Sequence, residues 1–201
     1  MCLMIQNRFR GQVTALISPI AKAMLNMGLT PNAITTIGAL GGSISAIYFF
    51  SSGDFFIGTL VVSAFVLSDL FDGTMARLSN TGSTRWGALI DSTLDRVMDS
   101  AILIGVLLYA QQQELSLTGY LAVVALVIVG LIPYIRAKAE SLGIECSVGI
   151  AERTERLIVV LVGTGLYGLG LNPALNVALG LVIAAGTVTV MQRMRVVARA
   201  E

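Results

Sequence analysis

Histidine is absent from this 201-residue chain. Its absence excludes imidazole acid–base catalysis and His-ligated zinc. Cysteine is nearly absent. Cys2 and Cys146 stand alone and far apart, so neither a structural disulfide nor a thiolate metal site is expected. Charge is scarce as well: 12% of residues are charged against 55% hydrophobic, and the mean hydropathy is +0.83. That composition excludes a soluble domain and implies a polytopic membrane protein. A net charge of +1 gives no sign of a nucleic-acid partner, and none is expected. The opening M-C-L-M-I-Q-N-R-F-R lacks a long apolar core ending in a cleavage site, so no cleaved signal peptide is expected.

What is present is long apolar runs and glycine. There are 21 glycines, and Gly38-x-x-x-Gly42 has the small-residue spacing that lets membrane helices approach closely. The expected fold is all-α and integral to the membrane: six transmembrane helices preceded by an amphipathic interfacial helix. The interfacial segment runs from about Met4 to Met27, within a juxtamembrane stretch over 1–29. Ile5, Phe9, Val13, Leu16, Ile17, Ile20, Met24 and Leu25 recur there at three- and four-residue steps. Arg8, Arg10 and Lys22 charge the other face, and Pro19 kinks or restarts the helix. An ordinary amphipathic helix packed on the protein fits that segment equally well. Thr30 suits an N-cap and Pro31 a first helical turn. Spans are expected at roughly 33–52, 56–78, 86–111, 118–141, 154–171 and 174–197, in one domain over 1–201. With six spans, all 13 Lys and Arg residues fall on the side of the termini. The loops near Asp54, Glu114 and Asn172 carry none, so both termini are expected in the cytoplasm.

Four aspartates interrupt this apolar chain: Asp69, Asp72, Asp91 and Asp95. A carboxylate at the bilayer centre costs roughly 2.5–3.5 kcal/mol, so four facing lipid would cost about 10–14 kcal/mol. They must face one another, water or cations. Asp69 and Asp72 are i, i+3 near the end of the second span; Asp91 and Asp95 are i, i+4 near the start of the third. Each pair shares a helix face, and a short loop makes the two helices antiparallel neighbours. Oxygen ligands in this number suit Mg²⁺ or Mn²⁺, and four carboxylates can hold two such ions about 3.5–4 Å apart. Gly73 and Gly87 open room beside them, and Arg77 lies one turn past Gly73. Asp99 continues the face a turn deeper, where a polar neighbour such as Ser100 or a supporting role suits it better than a metal. Competing readings are a structural network with Arg77, Arg85 and Arg96, a non-catalytic scaffold, and a divalent-cation transporter. The acids cluster at one end of the spans rather than forming a relay across them, which disfavours transport.

Written out, the constellation is Asp69-x2-Asp72-Gly73-x2-Ala76-Arg77-x9-Gly87-x3-Asp91-x3-Asp95. It resembles the motif of the CDP-alcohol phosphotransferase family at every fixed position. The resemblance implies transfer of a phosphatidyl group from CDP-diacylglycerol to an alcohol, with release of CMP; the distribution of basic residues puts the aspartates at the cytoplasmic edge of what is expected to be the plasma membrane. The resemblance also implies that Asp69, Asp72, Asp91 and Asp95 hold two Mg²⁺ or Mn²⁺ ions and that Asp95 is also the base. It implies that Thr30, Pro31, Asn32, Ala33, Gly73, Arg77 and Thr84 contact the CDP-diacylglycerol, and that the enzyme is a homodimer.

A second cluster is basic. Arg136 and Lys138 end the fourth span, Arg153 and Arg156 open the fifth, and Arg193 and Arg195 close the sixth. Arginine forks recognise phosphate, so an acceptor that carries its own phosphate fits. Basic residues gather at cytoplasmic helix ends in any case. Arg153 and Arg156, however, sit at a helix start, where the dipole disfavours cations. The segments P-Y-I-R-A-K-A-E-S-L-G and E-R-T-E-R-L resemble those of actinobacterial phosphatidylinositol phosphate synthases. That resemblance implies inositol phosphate as acceptor, held by Arg136, Arg156 and Arg193 and then by Lys138 and Arg153. Phosphatidylglycerophosphate synthase, which uses glycerol 3-phosphate, is the alternative.

Overall fold

Every regular element among the described residues, 18–78 and 84–200 of the computed structural model, is a helix. At Asp69, Leu70 and Asp72 only the backbone is described. The helices are α1 (18–26), α2 (Pro31–Ser52), α3 (Phe55–Val66), α4 (Asp69–Leu78), α5 (Arg85–Gln112), α6 (Ser116–Ser141), α7 (Arg153–Gly168) and α8 (Ala174–Ala198). Their boundaries have local causes. Thr30 Oγ1 accepts from the Ala33 amide at 3.2 Å and caps α2, with Pro31 at the first helical position. At the far end of α2, Gly53 takes φ +89°, so the Asp54 amide reaches back to the Phe49 carbonyl at 2.9 Å.

The expected second span is two helices. The Leu67 amide still bonds the Ser63 carbonyl, but the Ser68 amide drops to Phe65 and the Phe71 amide to Ser68. The ladder is broken there, and Ser68 stands where an N-cap would. Asp69 and Asp72 therefore open a new 10-residue helix, where the helix dipole favours negative charge. Among the described residues, three helices are long and apolar enough to cross a membrane: α2, α6 and α8. In α5 the first fifteen residues include Asp91, Asp95, Arg96 and Asp99. The 16 residues of α7 rise about 24 Å, short of the ~30 Å hydrocarbon core.

The chain forms two compact units. The first comprises Met1–Gly42 and Val62–Met98. Ala21, Ile34 and Met75 are its buried cluster, with Met24, Leu25, Leu29 and Phe71 packed on it. The buried stripe of α1 is thus Ala21, Met24 and Leu25. Ile20, expected on that stripe, is 53% exposed, and residues 4–17 of the expected amphipathic segment lie outside the described residues. A Cβ on Gly38 would strike Ser68 Oγ, and one on Gly42 would strike the Met98 Cε. The glycine pair thus brings the α2 backbone against the α3–α4 break and against α5.

The second unit comprises Ser43–Val61 and Asp99–Glu201. Phe50, Phe55, Ile102, Val106, Leu175 and Leu179 form its interior. Phe55 packs edge-on against Tyr109 and Tyr167, whose hydroxyls bond at 3.0 Å. Thr59 and Thr164 share a hydroxyl bond of 2.8 Å between α3 and α7, and Thr118 donates to Asn176 at 2.8 Å.

Candidate active site

In the first unit, α2 is the scaffold for the carboxylate helices. Ile34 meets Met75 of α4, and Asn32 meets the first turn of α5. A Cβ on Gly87 would lie 2.8 Å from Asn32 Oδ1 and 3.1 Å from Thr84 Oγ1, so only glycine leaves the space beside those two oxygens open. Thr84 Oγ1 accepts from the Gly87 amide at 3.0 Å and caps α5. Thr30, Pro31, Asn32 and Ala33 form the matching start of α2. Five of the expected nucleotide contacts thus belong to two helix N-termini, where backbone amides point outward and suit a phosphate. Nothing lies within 4 Å of a Cβ built on Gly73. Arg77 is exposed one turn further along α4 and donates to the buried Thr74 hydroxyl at 3.2 Å.

Asp91 is exposed and Asp95 half-buried, on one face of α5. Asp69 and Asp72 share a face of α4 by their backbone positions; their side chains lie outside the described residues. The donor chemistry of this set is carboxylate oxygen throughout, which fits a hard divalent cation.

In the second unit, the basic residues gather around the connection from α6 to α7. Arg193 is 3% exposed. Its Nε donates to the Val148 carbonyl at 2.9 Å and its Nη1 to the Ile132 carbonyl at 2.5 Å. Arg156 is 5% exposed and its Nη1 donates to the Ala151 carbonyl at 2.6 Å. Thr189 Oγ1 accepts from the Ala151 amide at 3.1 Å, a contact that no motif in the sequence announces. Arg153 Nε lies 3.5 Å from Asp99 Oδ1, so Asp99 meets a residue of the basic cluster. Asp99 and Arg156 line one cavity with Val129, Leu157, Val160 and Val182. Arg136 is exposed and pairs with Glu140 at 2.8 Å, one turn on; Lys138 is exposed beside it.

Residues 28–197 match the model of the CDP-alcohol phosphatidyltransferase family. The chain is 43% identical to the phosphatidylinositol phosphate synthase of Cutibacterium acnes over 201 residues, covering 96% of this chain and 97% of that one. Its fold is similar to crystal structures of Mycobacterium tuberculosis phosphatidylinositol phosphate synthase at 38% identity. The structure with CDP-DAG bound matches with a TM-score of 0.85, over 91% of this chain and 94% of that one. The complex with manganese and citrate matches with a TM-score of 0.85, over 90% and 88%. By the family match across the constellation and by these relatives, the chain belongs to the CDP-alcohol phosphatidyltransferase family.

Proposed function

We propose that this protein transfers the phosphatidyl group of CDP-diacylglycerol to inositol phosphate, giving phosphatidylinositol phosphate and CMP. Asp69, Asp72, Asp91 and Asp95 hold two Mg²⁺ or Mn²⁺ ions. Such a pair, when bound, neutralises pyrophosphate charge and stabilises the charge that develops on transfer. The N-termini of α2 and α5, with Gly73 and Arg77, receive the cytidine and its phosphates. Asp95 takes the proton of the acceptor hydroxyl. The hydroxyl oxygen attacks the phosphorus that bears the diacylglycerol, and the bond from that phosphorus to CMP breaks, so the proton ends on Asp95 and the charge on CMP. Arg136, Lys138, Arg153, Arg156 and Arg193 receive the acceptor's phosphate. A guanidinium has five N–H donors, so the two that Arg193 gives to backbone leave others for a ligand.

The observation that carries the acceptor reading is the gathering of these basic residues around one connection between helices. A phosphorylated acceptor gives the cluster a ligand of matching charge. The setting is a bilayer crossed six times, α3 with α4 making one span, and both termini lie in the cytoplasm. The exposed apolar faces at Ile44, Tyr48, Val127, Val177 and Leu181 support a lipid environment. Two copies form a dimer.

The test is CMP release from labelled CDP-diacylglycerol by the purified protein, with inositol phosphate and glycerol 3-phosphate as parallel acceptors. Turnover is expected with inositol phosphate, lost on chelation and restored by Mg²⁺ or Mn²⁺. Use of glycerol 3-phosphate alone would overturn the acceptor assignment and leave the family reaction standing. Metal flux in proteoliposomes without CDP-lipid turnover would overturn both.

A further inference from the structure

Arg195 lies in the last turn of α8, yet the acceptor assignment uses neither it nor Arg199. Both are exposed, and among the described residues neither guanidinium has a hydrogen-bonded or ion-paired partner. A cation at the end of a helix or of a span is ordinary. The space beside these two is not. A cleft of about 340 Å³ lies between Val148 and Ile150 of the α6–α7 connection and Gln192, Arg195, Val196 and Arg199 of α8. Small-molecule sites span roughly 300–1,000 Å³, so the cleft has the room of one. The cavity beside Asp99 and Arg156, at about 20 Å³, holds about one water. None of the acceptor-phosphate residues lines the cleft; Arg193 is buried, and the cleft lies on the neighbouring flank of α8.

Charge and depth indicate the occupant. Two exposed guanidinium forks suit a phosphate. The stretch Ala174–Met191 carries no charged residue and rises about 27 Å, close to the ~30 Å hydrocarbon core. The cleft begins at the next residue, Gln192, at the level where lipid head groups start. Val177, Leu181 and Val188 are exposed and stand at four- and seven-residue steps that lead down one flank of α8 to Arg195. A free phosphate ion gains nothing from that apolar track, whereas an acyl chain does. We propose that the cleft binds an anionic phospholipid of the surrounding bilayer, with its phosphate on Arg195 and Arg199 and a chain along Val188 and Leu181. The site is separate from that of the substrates and does not depend on which alcohol is the acceptor.

Equilibrium binding of labelled lipid to the purified full chain in neutral detergent tests it, with phosphatidylglycerol and phosphatidylcholine in parallel. Phosphatidylglycerol is expected to bind more tightly, by about one lipid per chain in excess of phosphatidylcholine. Arg195→Gln/Arg199→Gln is expected to weaken that binding about tenfold and to leave the thermal unfolding midpoint in lipid-free detergent unchanged. Val196→Phe keeps both charges and narrows the cleft, and it is expected to weaken binding as well. That variant also serves if the double arginine variant does not fold. Unchanged binding in Val196→Phe would mean diffuse attraction to surface charge and would overturn the proposal. So would equal binding of the two lipids, or wild-type phosphatidylglycerol binding in the double variant. Inorganic phosphate at the concentration of the lipid is expected to displace none of it; displacement would make the cleft a site for a free anion and sink the lipid assignment. A shift in oligomeric state of the double variant with bound lipid unaltered would assign the cleft to a contact between copies instead.

Discussion

At the scale of single residues, the chemistry asked of each aspartate differs with its burial. Asp91 is exposed, Asp95 half-buried and Asp99 buried, at successive turns of one helix. The middle position suits a base that must meet both a substrate hydroxyl and water. Asp95→Asn is expected to lower kcat by about 10²–10⁴-fold while CDP-diacylglycerol binding stays measurable. Parallel turnover and nucleotide-binding assays check this; full activity would remove Asp95 from the role of base. The aspartates were legible in the sequence because their cost in an apolar chain is a local fact. Their fixed spacings with Gly73, Arg77 and Gly87 were equally local. The settings of Arg193 and Arg156 were not legible. Their partners are backbone carbonyls, which no side-chain pattern encodes, and Arg193 reaches 45 residues back to Val148 and 61 back to Ile132. The Arg153–Asp99 pair escaped the sequence reading for the same reason: its members are remote along the chain.

At the scale of elements, caps and stops followed from residue type. Thr30 and Thr84 start helices, and Gly53 and Gly143 end them with positive φ. Among the described residues, the one stop of the same kind made by a residue other than glycine is at Glu114, with φ +56°, where the Leu115 amide reaches the Ala110 carbonyl at 2.8 Å. A side chain in the left-handed region costs about 1–2 kcal/mol, part of which glycine forfeits in the unfolded chain. Glu114→Gly is expected to stabilise the protein by about 1 kcal/mol. A rise in the thermal unfolding midpoint in detergent, with unchanged turnover, checks it; a fall would mean that the Glu114 side chain makes a contact worth more than the strain. The α3–α4 break was hidden because 56–78 reads as an apolar run followed by acids, with no proline or glycine between Gly58 and Gly73. What marks the break is tertiary: Ser68 lodges against the bare backbone at Gly38.

At the scale of the whole molecule, composition announced a helical membrane protein, and the helices are there. Length and apolarity together single out three of the described helices, because charged residues dilute α5 and because α3 and α4 each fall short. Under the proposed function, the polar groups that serve the reaction are those that lower hydropathy. The ties on the α6–α7 connection carry one more implication, for handling the protein rather than for its chemistry. A protease must draw a stretch of chain into its cleft in extended form, which requires local opening. Here the Val148 and Ala151 backbone groups are held by side chains from α7 and α8, and Cys146 is fully buried. Under limited digestion with a glutamate-specific protease, the connection between Ser141 and Arg153, which offers Glu145 and Glu152 as cleavage points, is therefore expected to stay joined to both neighbours for as long as the bundle holds. Its first cut would report global melting rather than a loose loop.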